Sequence, residues 1–167
     1  MPSSVLPCAG KILVACVCAA VLALSASSAL AAPADSSEAE SEPTPGAEVA
    51  DLAEQYVGSP YRWGGASPSG FDCTGFVMWV YSQFGVAMPH NEAGQLASGE
   101  RVSTDELEPG DVLVFANTYR RGLSHTGIYV GDGQFIHAAD ERHGVIVSSL
   151  SNGYWSSRLA GAFRAIA

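Results

Sequence analysis

The order of the periodic segments constrains the fold of this chain most. Two helical patterns come first, one over residues 45–57 and one from Asp72 or Cys73 to Phe84. Short apolar strand patterns follow, separated by glycine-bearing turns, at residues 111–115, 125–130, 134–139, 144–150 and 160–166. Helices that precede an antiparallel meander predict an α+β fold, with the N-terminal helices packed on one face of a sheet of about five strands.

The ends of the helices can be placed from residues that favour caps and turns. Thr44 is a good N-cap for the first helix, and Pro45 suits its first turn. Gly85 is positioned to end the second helix, and Asn91 can cap a short third helix that runs through Leu96. The sequence therefore predicts three helices before the sheet begins.

The N-terminus has the pattern of a secretory signal peptide. Lys11, the only lysine, precedes an apolar core at residues 12–24, and a small-residue segment ends at Ala31. The alternative is an uncleaved membrane helix, but the core is shorter than the roughly 20 residues that span a bilayer. A lipoprotein box at residues 13–16 is disfavoured, because its apolar run follows the cysteine. We therefore expect residues 1–31 to be removed on export to the periplasm, cell wall or extracellular space, with no stable membrane insertion afterwards.

The remaining chain divides into a linker and one domain. Residues 32–45 contain four acidic residues and three prolines without apolar periodicity, which is typical of a disordered acidic linker. Residues 46–167 then form a single domain, expected to be a monomer. The formal charge is −9 and becomes −10 when Lys11 is lost. Such an acidic domain without a basic cluster argues against nucleic acid and anionic membranes as partners.

Cys73 is the strongest candidate for a reactive group. Cleavage of the signal peptide removes Cys8, Cys16 and Cys18, so the mature protein has one thiol and cannot form an internal disulfide. The alternative is a buried structural thiol. However, a sulfur in the first turn of a helix lies beside unsatisfied backbone N–H groups and the positive end of the helix dipole, and both favour the thiolate nucleophile.

Two histidines occur on neighbouring strand patterns around the turn at residues 131–133. A two-residue loop would pair Ile128 with His137 and would turn His125 to the opposite face of the sheet. A three-residue loop would pair Gly127 with His137, so that His125 and His137 share a face as diagonal neighbours. We predict the three-residue loop, because Gly133 can supply its left-handed residue and Gly127 leaves room between the rings.

This arrangement predicts a proton relay. His125 would take the proton of Cys73 and return it to a leaving amine, while His137 would orient His125. Taken singly, each histidine is better interpreted as an ordinary half-buried sheet residue with a satisfied hydrogen bond, because only the geometry of the group identifies a relay. His90 and His143 are interpreted as ordinary loop and turn residues. A zinc site formed by the cysteine and two histidines is disfavoured, because the chain lacks the closely spaced ligand pairs typical of structural zinc. No metal and no cofactor are expected.

Three segments together resemble the NlpC family of papain-like cell-wall endopeptidases. Residues 61–76, which contain Asp72-Cys73-Thr74-Gly75, resemble the nucleophile segment of that family. Residues 107–115 are similar to its Pro-Gly-Asp strand, and residues 125–138 to its histidine hairpin. The resemblance extends over nearly all of residues 47–166 in the same order.

The resemblance implies a papain-like fold and hydrolysis of peptidoglycan stem peptides, usually between γ-D-glutamate and a diamino acid such as diaminopimelate. It implies that Cys73 is the nucleophile, His125 the base and His137 the third polar residue. It also implies that Tyr61 helps to hold the oxyanion, and that Asp72 binds the free amino end of the substrate.

The sequence departs from the family pattern at two positions. Thr74 replaces the usual serine, and its extra methyl group could narrow the pocket or change a hydrogen bond to substrate. His90 stands where the family often has arginine, so a fixed charge and a fork of donors are absent.

Two alternatives to hydrolysis stay open at this point. One is an acyltransferase that passes the thioester to an amine instead of water. The other is a wall-peptide binding module whose site no longer reacts.

Overall fold

The computed structural model describes residues 42–166. The predicted signal peptide and residues 32–41 of the linker lie outside this range. The helices are α1 (Pro45–Glu54), α2 (Cys73–Ser82), α3 (Glu92–Leu96) and α4 (Gly153–Ser156). The strands are β1 (Ala66–Ser67), β2 (Gly70–Phe71), β3 (Glu100–Val102), β4 (Val112–Ala116), β5 (Leu123–Gly131), β6 (Gln134–Asp140), β7 (Gly144–Ser149) and β8 (Leu159–Arg164). None of the helices at residues 42–166 is long and apolar enough to cross a membrane.

The caps predicted for the helices are present. The Thr44 side chain accepts a hydrogen bond from the backbone of Ala47, and Pro45 occupies the first turn of α1. Asn91 caps α3 in the same way, through the backbone N–H of Gly94. Helix α1 ends three residues before the predicted end, and residues 55–57 continue as turns.

Six strands form the main antiparallel sheet, in the order β3-β8-β4-β5-β6-β7. Five of them match the predicted strands. The additional strand, β3, lies at one edge and pairs with β8. Only three residues long and mostly exposed, it lacks the apolar alternation that identifies strands in a sequence. The prediction of an α+β fold with helices before an antiparallel sheet is confirmed.

Alternate residues of the central strands face two separate cores. Val112, Val114 and Ile128 point toward α1 and α2, where Phe76 and Val80 complete the larger core. The opposite face carries a smaller cluster built on Leu113, Phe115, Phe135 and Ala162, against which Trp155 of α4 packs. Helix α2 is therefore fixed on one face of the sheet by buried apolar contacts and packs against β5 and β6.

The β5–β6 hairpin differs from the prediction in its loop but not in its register. The loop has two residues, Asp132 and Gly133, both with positive φ, and Gly131 pairs with Gln134. The prediction of a three-residue loop is therefore wrong. A bulge before Gly131 then shifts the pairing, so that Ile128 lies opposite Ile136, as the longer loop would have required. The shorter loop and the unpredicted bulge compensate for each other in the register, so both histidines lie on one face of the sheet as predicted.

Candidate active site

Asp72 is the N-cap of α2 and fixes the start of the helix. Its Oδ1 accepts hydrogen bonds from the backbone N–H of Gly75 (2.6 Å), the hydroxyl of Thr74 (3.1 Å) and His90 Nε2 (2.9 Å). Its Oδ2 accepts from the backbone N–H of Gly64 at 2.9 Å. Four donors hold one carboxylate, so the first turn of α2 is rigid and joined to the glycine-rich loop before it.

The close approach of this loop to α2 requires glycine at position 75 for a steric reason. The carbonyl oxygen of Gly65 accepts a hydrogen bond from the backbone N–H of Asp72 at 2.8 Å, and the same oxygen lies against Gly75. A Cβ atom on Gly75 would collide with that oxygen. The glycines of the sequence motif thus allow the loop to approach the nucleophile helix closely.

Cys73 is the first residue of α2, and it is 5% exposed. Backbone N–H groups of Thr126 and Thr74 donate to its sulfur and lower the pKa of the thiol. Burial, followed by the carboxylates of Asp72 and Glu92, outweighs them and raises the pKa of Cys73 to about 12. The helix terminus favours the thiolate, as expected from the sequence, but burial and the two carboxylates have the larger effect and keep the thiol protonated near pH 7.

His125 and His137 contact each other directly on the other side of the site. His125 Nε2 lies 2.7 Å from His137 Nδ1, and His137 Nε2 lies 2.9 Å from the hydroxyl of Ser148 on β7. Burial lowers the pKa of His125 to about 4 and also lowers that of His137. Both rings are therefore neutral near pH 7, and the chain of contacts leaves His125 Nδ1 free for a further partner.

The two imidazoles are enclosed by aromatic rings. Trp155 lies 5.3 Å from the His125 ring and 4.8 Å from the His137 ring, measured between centroids. Phe135 stacks on His137 at 4.9 Å. Trp155 and its short helix were not identified from the sequence, because four residues carry too little periodicity to predict a helix. The aromatic rings exclude water from the histidine pair, which explains its low basicity.

The thiol and the histidine pair approach each other through the backbone of β5. The backbone N–H of Thr126, the residue directly after His125, lowers the pKa of the thiol and thus lies close to the sulfur. No hydrogen bond between Cys73 and His125 occurs among residues 42–166. Proton transfer between them thus stays a prediction, and the free form of a site is commonly looser than the reacting form.

A cavity of about 360 Å³ opens above Cys73. Its lining includes Tyr61, Asp72, Thr74 and His90. Burial, followed by the nearby Cys73 and Asp72, raises the pKa of Tyr61 to about 12, so its hydroxyl stays protonated and can donate a hydrogen bond. All six residues predicted for the site thus lie in this cavity or in the histidine pair beside it.

His90 is more closely involved than predicted. The sequence interpretation treated it as an ordinary loop residue, but its ring binds Asp72 and lines the cavity with Cys73. The signal for this role was present, because His90 stands at the family's arginine position. Ser148 had no such signal, since one serine in a strand is unremarkable until the register places it beside His137.

The described part of the chain, residues 42–166, contains no group of three His, Cys, Asp or Glu side chains suited to hold a metal ion.

Comparison with known proteins identifies relatives of the whole domain. The model of the NlpC/P60 family matches residues 58–164. A gamma-DL-glutamyl hydrolase of Bacillus subtilis is 46% identical over 118 residues, which are 70% of this chain and 28% of the relative. A probable endopeptidase of Mycobacterium tuberculosis is 46% identical over 91 residues, 54% of this chain and 23% of the relative. The chain thus spans about a quarter of the length of these relatives.

Solved structures give the same result. An NlpC/P60 family protein of Bacillus cereus superimposes with a TM-score of 0.69 at 31% identity, over 75% of this chain and 42% of the other. The NlpC/P60 domain of the peptidoglycan hydrolase SagA superimposes with a TM-score of 0.63 at 34% identity, over 71% of this chain and 97% of that domain. These similarities support the papain-like fold.

Proposed function

Because this chain belongs to the NlpC/P60 family, we propose that it is a cysteine peptidase that hydrolyses amide bonds in peptidoglycan stem peptides. The scissile bond is that between γ-D-glutamate and the following diamino acid. The observation that carries this proposal is the placement of the Cys73 thiol at a helix N-terminus, directly after the N-capping carboxylate of Asp72 and close to the strand that carries the buried histidine pair. The name of the Bacillus subtilis relative, a gamma-DL-glutamyl hydrolase, supports the choice of bond.

In the first half of the reaction, the Cys73 sulfur attacks the carbonyl carbon and its proton passes to His125. The free Nδ1 of His125 is the acceptor, since Nε2 is engaged with His137. The developing imidazolium donates Nε2–H to His137 Nδ1, which must be unprotonated to accept it. In that tautomer His137 carries its proton on Nε2, and the Ser148 hydroxyl, 2.9 Å away, can accept it.

The negative oxygen of the tetrahedral intermediate is held by the backbone N–H of Cys73 and the protonated hydroxyl of Tyr61. His125 then returns its proton to the leaving amine, and the C–N bond breaks to give a thioester. Water, deprotonated by His125, attacks the thioester carbon. The C–S bond then breaks, the acid is released, and His125 returns the proton to the Cys73 sulfur. The neutral state of the thiol in the free protein means that ionisation accompanies attack instead of preceding it.

Asp72 receives the free amino group of the substrate. Its Oδ1 already accepts three hydrogen bonds, whereas Oδ2 accepts one, so Oδ2 has the capacity for an ammonium. Thr74 is buried and donates a hydrogen bond to Asp72 through its hydroxyl, as serine would. The departure at position 74 therefore preserves the hydrogen bond.

A digest of purified muropeptides, read by mass, tests the function. The expected products are a fragment that ends in γ-D-glutamate and a fragment that begins with the diamino acid. Absence of products, or cleavage at another bond, would contradict the proposal. Addition of a free amine separates hydrolysis from acyl transfer, because a transferase would give an amide of γ-D-glutamate with the added amine.

One observation favours a second candidate, a wall-peptide binding module. The thiol is neutral and makes no hydrogen bond to His125 within residues 42–166. Such a module would bind the same muropeptides, leave them intact after prolonged incubation, and bind equally well when Cys73 is replaced by alanine.

We also propose that the protein is exported and acts as a monomer outside the cytoplasm. The sequence of residues 1–31 supports export. N-terminal sequencing of the secreted protein is expected to begin at residue 32, and a retained N-terminus would contradict it. Light scattering is expected to give the mass of one mature chain.

A further inference from the structure

A second cavity adjoins the one that holds Cys73. Tyr61, Trp63 and Tyr119 line both cavities and separate them. The second cavity has a volume of about 570 Å³, and the rest of its lining is the charged turn at residues 140–143 between β6 and β7. Trp63 is 69% exposed and Tyr119 53% exposed, with their rings in edge-to-face contact at 5.8 Å. Exposed aromatic rings at the border of a cleft are typical of a ligand-binding surface.

The turn carries two charged side chains that form no ion pair or side-chain hydrogen bond among residues 42–166. Asp140 and His143 pair with each other at 2.9 Å. The Glu141 carboxylate and the Arg142 guanidinium, in contrast, have no side-chain partner among residues 42–166. The Glu141 carboxylate is the smallest of the causes that raise the pKa of Tyr61, so Glu141 lies near enough to interact electrostatically with the tyrosine that lines both cavities. The second cavity therefore offers one free anion and one free cation beside an aromatic wall.

When a substrate has its amino end at Asp72 and its scissile carbonyl at Cys73, the part that follows the scissile bond must extend out of the first cavity. The aromatic border leads from there to the second cavity. The large cavity lined by Glu100, Arg101 and Arg164 lies at the β3–β8 edge of the sheet and shares no residue with the first. A smaller cavity of about 270 Å³ at residues 117–121 shares Tyr119 and Arg120 with the first, but no carboxylate lines it.

We propose that the second cavity is a subsite for the diamino acid on the leaving-group side, with its free ammonium at Glu141 and its free carboxylate at Arg142. The inference rests on the proposed function. The carbon chain of the diamino acid would lie along Trp63 and Tyr119. A diaminopimelate side chain ends in a carbon that bears both an ammonium and a carboxylate, whereas lysine supplies the ammonium alone. The subsite therefore selects diaminopimelate over lysine, and over diaminopimelate whose far carboxylate is amidated.

Equilibrium binding tests this subsite independently of hydrolysis. Three dipeptides serve as probes, each with D-alanine after an N-terminal diamino acid: diaminopimelate, amidated diaminopimelate or lysine. Calorimetry on the full chain carrying Cys73→Ala is expected to give roughly three- to tenfold tighter binding of the first probe at low salt, with the difference reduced at high salt. Arg142→Gln is expected to remove this selectivity, and Glu141→Gln to weaken all three probes. Arg101→Gln, in the distant cavity, is the matched control and should change nothing.

Equal affinities for the three probes would overturn the subsite, as would equal effects of Arg142→Gln and Arg101→Gln. The proposed function is judged separately, by peptide release from muropeptides with the wild-type chain. Selective binding without hydrolysis would retain the subsite and reject the peptidase. Hydrolysis of diaminopimelate and lysine peptides at equal rates, unchanged in Arg142→Gln, would retain the peptidase and reject the subsite.

Discussion

The two sides of the active site stabilise their buried polar groups in different ways. The helix side, formed by Asp72, Cys73, Thr74 and His90, keeps a charged carboxylate and surrounds it with four donors. The sheet side, formed by His125, His137 and Ser148, keeps its rings neutral inside an aromatic enclosure. One side is organised by charge-assisted hydrogen bonds, and the other by burial.

The difference has a chemical consequence. The negative charge at Asp72 opposes ionisation of the thiol, and burial opposes protonation of His125. The free protein therefore holds a neutral thiol and a neutral histidine base, beside the charged carboxylate of Asp72. Substitutions on the two sides should consequently have different signatures.

The largest effect is expected on the sheet side, from His125→Gln. Removal of the base should lower kcat/KM on muropeptides by at least about a hundredfold, because the neutral thiol then has no acceptor for its proton. Thermal unfolding should confirm that the variant folds. Activity within threefold of the wild type in a folded variant would mean that another group accepts the proton.

The second effect is the dependence of the free energy of unfolding on acid pH, which we also expect to arise from the sheet side. The folded pKa of His125 is about 4, below the unfolded value of about 6.5, so the unfolded chain binds more protons between these pH values. Stability should be fully present above pH 6.5 and should fall toward pH 4, by on the order of 3 kcal/mol from His125 alone. The His137 pKa is also lowered and adds in the same direction. Urea unfolding at pH 7 and pH 4 measures the loss, and a smaller loss in His125→Gln assigns it. A stability that is equal at both pH values in the wild type would contradict the neutral histidine pair.

A smaller effect is expected from Ser148→Ala. Loss of the hydroxyl leaves His137 free to adopt the other tautomer, which would turn its Nδ1 into a donor facing His125. We expect kcat to fall roughly tenfold, on the order of one hydrogen bond's contribution, with KM unchanged. Thr at this position should restore activity. Ser149→Ala is the matched control, because the Ser149 hydroxyl bonds Ser151 instead of the relay; equal losses in both variants would rule out a positioning role for Ser148.

The smallest effect is expected on the helix side, from Asp72→Asn. The amide oxygen can still cap α2, but the amide NH2 would face the backbone N–H of Gly64, so the free energy of unfolding should fall by on the order of 1 kcal/mol. The pKa of Cys73 should fall, since the Asp72 carboxylate is the second cause of its rise, and it should stay above the ordinary value because burial is the first. The pH dependence of iodoacetamide labelling measures this change. An unaltered labelling profile would show that the carboxylate does not act on the thiol.

Much of the fold was predictable because its signals are local. Thr44 and Asn91 cap their helices as predicted, and the apolar periodicity places α2 and the central strands. The shared face of His125 and His137 was also predicted, although from the wrong loop. The bulge lies between Tyr129 and Gly131, and Gly131 has a positive φ there, so the glycine that accompanies the bulge was interpreted instead as part of the loop.

The charge state of the site was less predictable, because it depends on distant neighbours. The helix terminus alone favours a thiolate at Cys73, and only the folded structure shows the depth of burial and the proximity of Glu92 from α3. His90 and Ser148 likewise acquire their roles through contacts 18 and 11 residues away in the chain. Residue type and spacing identify the reactive groups, whereas tertiary contacts set their protonation.

The most direct test of the central idea, that the one thiol of residues 42–166 is the nucleophile, is the rate of peptide release by Cys73→Ala. Wild-type and variant chains, matched for concentration and shown to be equally folded by thermal unfolding, are incubated with the same purified muropeptides, and products are quantified by mass. We predict that the variant releases peptides no faster than a sample without protein. Release at the wild-type rate would contradict the assignment of Cys73 and the mechanism that depends on it.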